Sequence, residues 1–175
     1  MEGSGLKWFC KLWVSVLTRL RMRRNGDPQM FVGKYNNSID GKNRLIVPSK
    51  FREELRGRCI MAKSLDKCLT IYPVEEWKKF VDKLDALPTS NPNSRRVRRH
   101  FHSSAAECDI DKQGRLTIPQ ELREYAGINK ELITVGSNRI IEVWSKENWD
   151  AELDPETGEL LDASEAAEGL EVYGF

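Results

Sequence analysis

At 175 residues with 39% hydrophobic content, the chain can bury a core of its own, most simply as one domain plus tails. Its net charge of +1 conceals a segregation: residues 1–29 hold six basic and two acidic groups, 30–149 hold 22 and 16, and 150–175 hold nine acidic and none basic. No stretch approaches the roughly 18 apolar residues of a membrane span, and Cys10, Cys59, Cys68 and Cys108 lack CxxC spacing, so a disulfide scaffold is excluded and reduced, cytosolic thiols are expected.

In chain order, "LKWFCKLWVSVLTRLRMRR" comes first and invites a secretory-leader reading. Lys11 interrupts its apolar run, however, and no small-residue cleavage site follows. Residues 1–29 are therefore expected to be a basic extension outside the fold; a basic amphipathic helix touching membrane or nucleic acid is the other use of such a segment. The folded part opens at Met30.

The first unit, 34–79, begins within an apolar strand start, Phe31 to Ile39, and enters the turn Asp40-Gly41-Lys42-Asn43-Arg44. A short strand, Leu45-Ile46-Val47, is broken by Pro48, whose fixed φ and missing N–H suit a first helical turn. "SKFREELRG" then predicts a helix stopped by Gly57. "CIMA" and "CLTIY" flank Ser64-Leu65-Asp66-Lys67 as a hairpin, and "YPVEEW" closes the unit with a short helix.

Residues 80–104 form a helical, basic linker. Asn91-Pro92 supplies an N-cap and a first-turn proline, and Val97, Phe101 and Ala105 recur at helical spacing. Arg95, Arg96, Arg98 and Arg99 occupy the remaining faces, either as a solvated surface or as phosphate contacts.

The second unit, 105–149, repeats the first 71 residues later. Asp40, Arg44, Leu45, Pro48, Arg52 and Glu53 align with Asp111, Arg115, Leu116, Pro119, Arg123 and Glu124. Gly114 stands where Asn43 does, and Gly127 where the first helix stops; "LITV" and "IIEVW" flank Gly136-Ser137-Asn138-Arg139 as a second hairpin, with "WSKENW" closing the unit. Units this small cannot bury their faces alone, so the copies should pack together. Residues 150–175 are an acidic tail whose composition argues for disorder.

The turns carry the chemistry. An aspartate at a turn start can accept from backbone N–H groups two residues on, while Gly114 or Asn43 supplies the left-handed residue. Arg44 and Arg115 follow at fixed positions. They are either ion-paired surface groups, worth about 0–1 kcal/mol each, or forks aimed at guanine O6 and N7. Lys42, Lys112 and the Arg95–Arg99 run would supply flanking charge for phosphates.

An enzyme is the competing class. His100, His102 and Cys108 lack a standard zinc spacing, the cysteines lie in apolar strand contexts, and no P-loop or GxGxxG occurs. Neither metal nor cofactor is expected, and no small-molecule substrate. An RNA-binding or pure assembly protein is a third class, but no stacking signature supports it.

"MFVGKYNNSIDGKNRLIVPSKFREEL" and "ECDIDKQGRLTIPQELREYAGI", with "NPNSRRVRRHF" between them, closely resemble the MraZ family of bacterial transcriptional regulators, from Met30 to about Trp149. The resemblance implies an α+β fold in which two SpoVT-AbrB-like swapped-hairpin repeats form a β-barrel-like domain with short helices. It also implies a ring-shaped homo-oligomer, double-stranded DNA as partner, and binding to short direct repeats upstream of a division and cell-wall operon. The location implied is cytoplasmic and nucleoid-associated, away from membrane. The family's DNA-facing arginine maps onto Arg44 and Arg115. The Asn43 position departs from the family's usual glycine.

Overall fold

A computed structural model describes residues 30–153 and 156. The basic extension and most of the acidic tail lie outside the described residues. Strand β1 (Phe31–Ser38) is followed by β2 (Arg44–Ile46), helix α1 (Ser49–Leu55), the hairpin β3 (Arg58–Lys63) and β4 (Leu69–Pro73), and helix α2 (Val74–Asp85). Helix α3 (Pro92–Ser104) then leads into β5 (Ala106–Asp109), β6 (Arg115–Thr117), α4 (Gln120–Tyr125), the hairpin β7 (Glu131–Asn138) and β8 (Ile140–Ser145), and α5 (Lys146–Ala151).

The two copies are not side by side; they exchange strands. One six-stranded sheet runs β1-β7-β8-β4-β3-β5, so β1 of the first copy pairs with β7 of the second, and β5 of the second pairs with β3 of the first. A separate two-stranded ribbon joins β2 to β6, again one strand from each copy. Every ladder is antiparallel.

The expected barrel-like closure is not met. β1 and β5 end the large sheet, and each reaches the ribbon through one isolated pair only, Ile39 with Leu45 and Ile110 with Leu116. The ribbon strands are three residues long and soon meet Pro48 and Pro119, which have no N–H to extend a ladder. Both prolines sit at the N-cap, just before the helix rather than inside its first turn, with φ −51° and −57°. The second hairpin also differs from expectation: Gly136 and Ser137 belong to β7, because β1 pairs with it through Val32 and Phe31 to the very end. The α2 helix, at 12 residues, is longer than "YPVEEW" suggested.

Alternation along the strands makes two cores. On one face, Cys59, Met61, Leu69, Ile71, Leu132, Ile141 and Val143 meet the ribbon's Leu45 and Leu116 and the helical Phe51, Leu55 and Leu122. Phe31 and Tyr35 each pack edge-on against Phe51, with ring centroids 5.3 and 5.2 Å away. On the other face, Ile60, Ala62 and Tyr72 lie under Trp77, Phe80 and Ala105, while Ile133 and Trp144 lie under Trp149. The ribbon with α1 and α4 therefore covers one side of the sheet, and α2, α3 and α5 cover the other.

Candidate nucleic-acid interface

Both turns have the same wiring. In the first, Asp40 Oδ1 accepts from Lys42 N at 2.8 Å and Arg44 N at 3.0 Å, and Oδ2 accepts from Arg44 Nε at 2.8 Å. In the second, Asp111 Oδ1 accepts from Gln113 N at 2.8 Å and Arg115 N at 2.9 Å, and Oδ2 from Arg115 Nε at 2.8 Å. Asn43 and Gly114 both take the left-handed conformation, at φ 57° and 78°. Asparagine tolerates that region because its short polar side chain can bond locally, so the substitution leaves the first turn intact.

The turns are also tied to each other. Val47 N donates to Gly114 O at 2.9 Å, and Ile118 N donates to Asn43 O at 3.0 Å, a pseudo-twofold exchange across the ribbon. Hydrogen bonds from Arg44 hold the Asp40 carboxyl down to about 2, and those from Arg115 lower Asp111 as well. The charged turn therefore persists above the ordinary carboxylate range, and at Asp40 it is lost only as pH falls through about 2.

Register decides which way the arginines point. Leu45 pairs with Leu116 and both are fully buried, so their neighbours Arg44, Ile46, Arg115 and Thr117 share the outward face. Each guanidinium is gripped through its Nε side, which leaves the Nη1 end clear of the carboxylate. Asp40, Arg44, Ile46, Gln113 and Arg115 line an open cleft of about 320 Å³ between the turns. Lys42 and Lys112, one in each turn, stand exposed.

The sequence model described as "MraZ protein, putative antitoxin-like" matches residues 30–100 and again 101–167. This chain belongs to the MraZ family. It is 54% identical over 120 residues to the "Transcriptional regulator MraZ" of Clostridium acetobutylicum, covering 69% of this chain and 84% of that one. With the protein of the same name from Clostridium tetani it shares 51% over 146 residues, 83% of this chain and all of the relative. The like-named protein of Caldicellulosiruptor bescii is 46% identical over 146 residues, 83% of this chain and all of that one.

The two MraZ repeats are not identical around their turns. A Cβ on Gly114 would overlap Cζ and Nε of Arg52, whose Nε donates to Val47 O at 2.7 Å. In the first repeat Asn43 carries the Cβ that Gly114 lacks, and the Nε of Arg123, the counterpart of Arg52, is buried without a partner. Gly114→Asn should therefore expel Arg52 and lower unfolding free energy by about 1 kcal/mol, one part-buried hydrogen bond. Urea denaturation measures it, and an unchanged midpoint would show that the Arg52 contact carries no stability.

The arginine helix of this MraZ chain is placed apart from the turns. It packs on the sheet face opposite the ribbon, through Phe101 against Phe80 at 4.8 Å. Arg98 donates from Nη2 to Leu84 O, Asp85 O and Leu87 O at 3.1, 3.4 and 2.9 Å, closing the C-terminal end of α2. Arg95 Nη1 donates to Thr89 O and Ser90 O at 2.8 and 2.9 Å. Only Arg96 and Arg99 of the four stand exposed with no such carbonyl partner among the described residues, so the run divides into two guanidiniums bound to backbone carbonyls and two that are not.

His100 Nε2 lies 3.2 Å from Ser64 O, and His102 lies 4.0 Å from Asp85. Among the described residues no group of three or more His, Cys, Asp or Glu side chains gathers as a metal site. Burial pushes the Cys59 and Cys68 thiols up to about 12 and Cys108 to about 11, which disfavours the reactive thiolate. No helix among the described residues is long and apolar enough to cross a membrane.

Sequence reasoning missed Ile46 and Gln113 as members of the cleft, and Thr117 as their companion on the ribbon's outward face. A signal was present: in "RLI" and "RLT" the strand period of two puts first and third residues on one face.

Proposed function

We propose that this chain is a sequence-specific, DNA-binding transcriptional regulator. The relatives' name, Transcriptional regulator MraZ, supports that class. The observation that carries the reading is the pair of Asp-braced arginines on the outward face of one two-stranded ribbon. The B-DNA major groove admits a two-stranded ribbon, and an arginine fork held from behind can donate two parallel hydrogen bonds to guanine O6 and N7. Lys42 and Lys112 flank the ribbon as phosphate contacts, with Arg96 and Arg99 available to a second stretch of DNA.

The target is a set of short direct repeats upstream of the chain's own division and cell-wall operon, bound in the cytoplasm at the nucleoid. The active species is a ring-shaped homo-oligomer of SpoVT-AbrB-type repeats. The edges of β1 and β5, which pair with no further strand among the described residues, support strand or surface association between chains. Nuclease footprinting on DNA from upstream of the gene tests the whole reading. Evenly spaced protected repeats are expected; protection no better than on scrambled DNA defeats it.

A further inference from the structure

The outward face of the ribbon holds more than arginine. Ile46 is 53% exposed, a large apolar side chain left in water on a strand whose next residue, Val47, is buried. It stands directly opposite Arg115, while Thr117 stands directly opposite Arg44. Each braced arginine thus has a cross-strand neighbour that comes from the other repeat. One of those neighbours is purely aliphatic; the other carries a methyl and a hydroxyl.

Opposite side chains on an antiparallel pair lie about 4.5–5.5 Å apart at Cβ, against a base-pair rise of about 3.4 Å. A fork on one base pair therefore leaves its cross-strand neighbour over the adjacent one. In the major groove the apolar feature available there is the thymine C5-methyl group. We propose that Ile46 is a specificity-determining residue that packs on a thymine methyl beside the guanine taken by Arg115, and that Thr117 makes the weaker equivalent beside Arg44. This rests on the DNA-binding reading above and adds a second base to each contact.

Three observations favour this over an ordinary exposed isoleucine. Ile46 lines the same cleft as both arginines. Its inward neighbours Leu45 and Val47 already fill the core, so folding places no demand on it. The Asp111 brace, with Nε held at 2.8 Å, fixes the arginine beside it and so fixes what a duplex presents to Ile46. The difference between isoleucine and threonine also makes the two ends of the ribbon unequal, so one chain reads its two half-contacts with different stringency.

The test uses the full chain and a duplex enriched by it from a random pool, prepared with thymine or with deoxyuridine, which lacks the C5-methyl. Wild type is expected to bind the uracil duplex about four-fold more weakly per contacted methyl, the scale of one buried methyl group. Ile46→Ala should bind the thymine duplex about four-fold more weakly and lose most of the thymine–uracil difference. Thr117→Ile should enlarge that difference. The side chain is on the surface, so an unchanged melting temperature controls for folding. If wild type ignores the missing methyl, or if Ile46→Ala shows the same thymine–uracil ratio as wild type, the proposal is overturned while DNA binding stands. Failure to enrich any duplex would instead remove the DNA-binding reading itself.

Discussion

Arg115→Ala abolishes preference for operator over scrambled DNA, with oligomer size and melting temperature close to wild type: that is the expected result of a gel-shift titration. One bidentate guanine contact supplies about 1–3 kcal/mol of discrimination, and an oligomer engaging several repeats at once multiplies the loss. Folding should tolerate the change, because the ion pair is partly exposed and screened by solvent. Arg44→Ala is expected to match it. Asn43 in place of glycine would argue for a smaller effect at Arg44, but the two turns share their backbone and Nε–carboxylate hydrogen bonds, and Arg44 adds an Nη2 contact to Asp40 Oδ2 at 2.6 Å. Arg98→Ala is the contrast: it strips the α2 carbonyls of their donor and should lower melting temperature, leaving the salt dependence of binding alone. Arg99→Ala should weaken binding to all sequences alike and flatten the salt slope. Full operator preference in both Arg44→Ala and Arg115→Ala would leave the arginines as structural ion pairs.

Among the described glycines, Gly136→Ala should be the most damaging alanine substitution. Its added Cβ would stand 2.5 Å from Phe31 C and Val32 N and 2.9 Å from Phe31 O. Those are backbone atoms of the paired strand, so nothing can swing aside; β1 itself must move. Phe31, fully buried and packed edge-on to Phe51, would be drawn out with it. Overpacking alone costs about 1–3 kcal/mol, and partial loss of a buried phenylalanine brings the expected total to about 3 kcal/mol or more. Gly41→Ala, with no atom within 4 Å of its added Cβ, should change little. Equal unfolding midpoints for the two variants would show that β1 is not held where Gly136 requires.

The parts of the structure set by neighbouring residues were legible in the sequence: the Asp-to-Arg turns, the helices after Pro48 and Pro119, and the α3 helix capped by Asn91. Local hydrogen bonding and periodicity determine these, and both are written in neighbouring residues. What depended on distant partners was not. Nothing in "FVGKYNNS" says that it pairs with the second copy, and "GSNR" looks like a turn until β1 is laid along it. The arginines of α3 could be assigned to a helix face, but whether carbonyls or solvent lay beneath them depends on where α2 ends. Ile46 and Thr117 were visible as strand residues, and only the ribbon's register put each beside an arginine.

The exchange of strands between the repeats has a consequence for how the chain is made. Phe31 emerges from the ribosome early, yet its partner Asn138 is translated more than a hundred residues later. Synthesis runs at about 5–20 residues per second, so β1 waits for seconds without its ladder. Contacts of such long sequence separation also close slowly, because the intervening loop's entropy is lost before the pairing rewards it. A nascent chain halted before β5 holds Phe31, Cys59 and Met61 with no second copy to cover them, and it is this interval that exposes the molecule to chaperones and proteases.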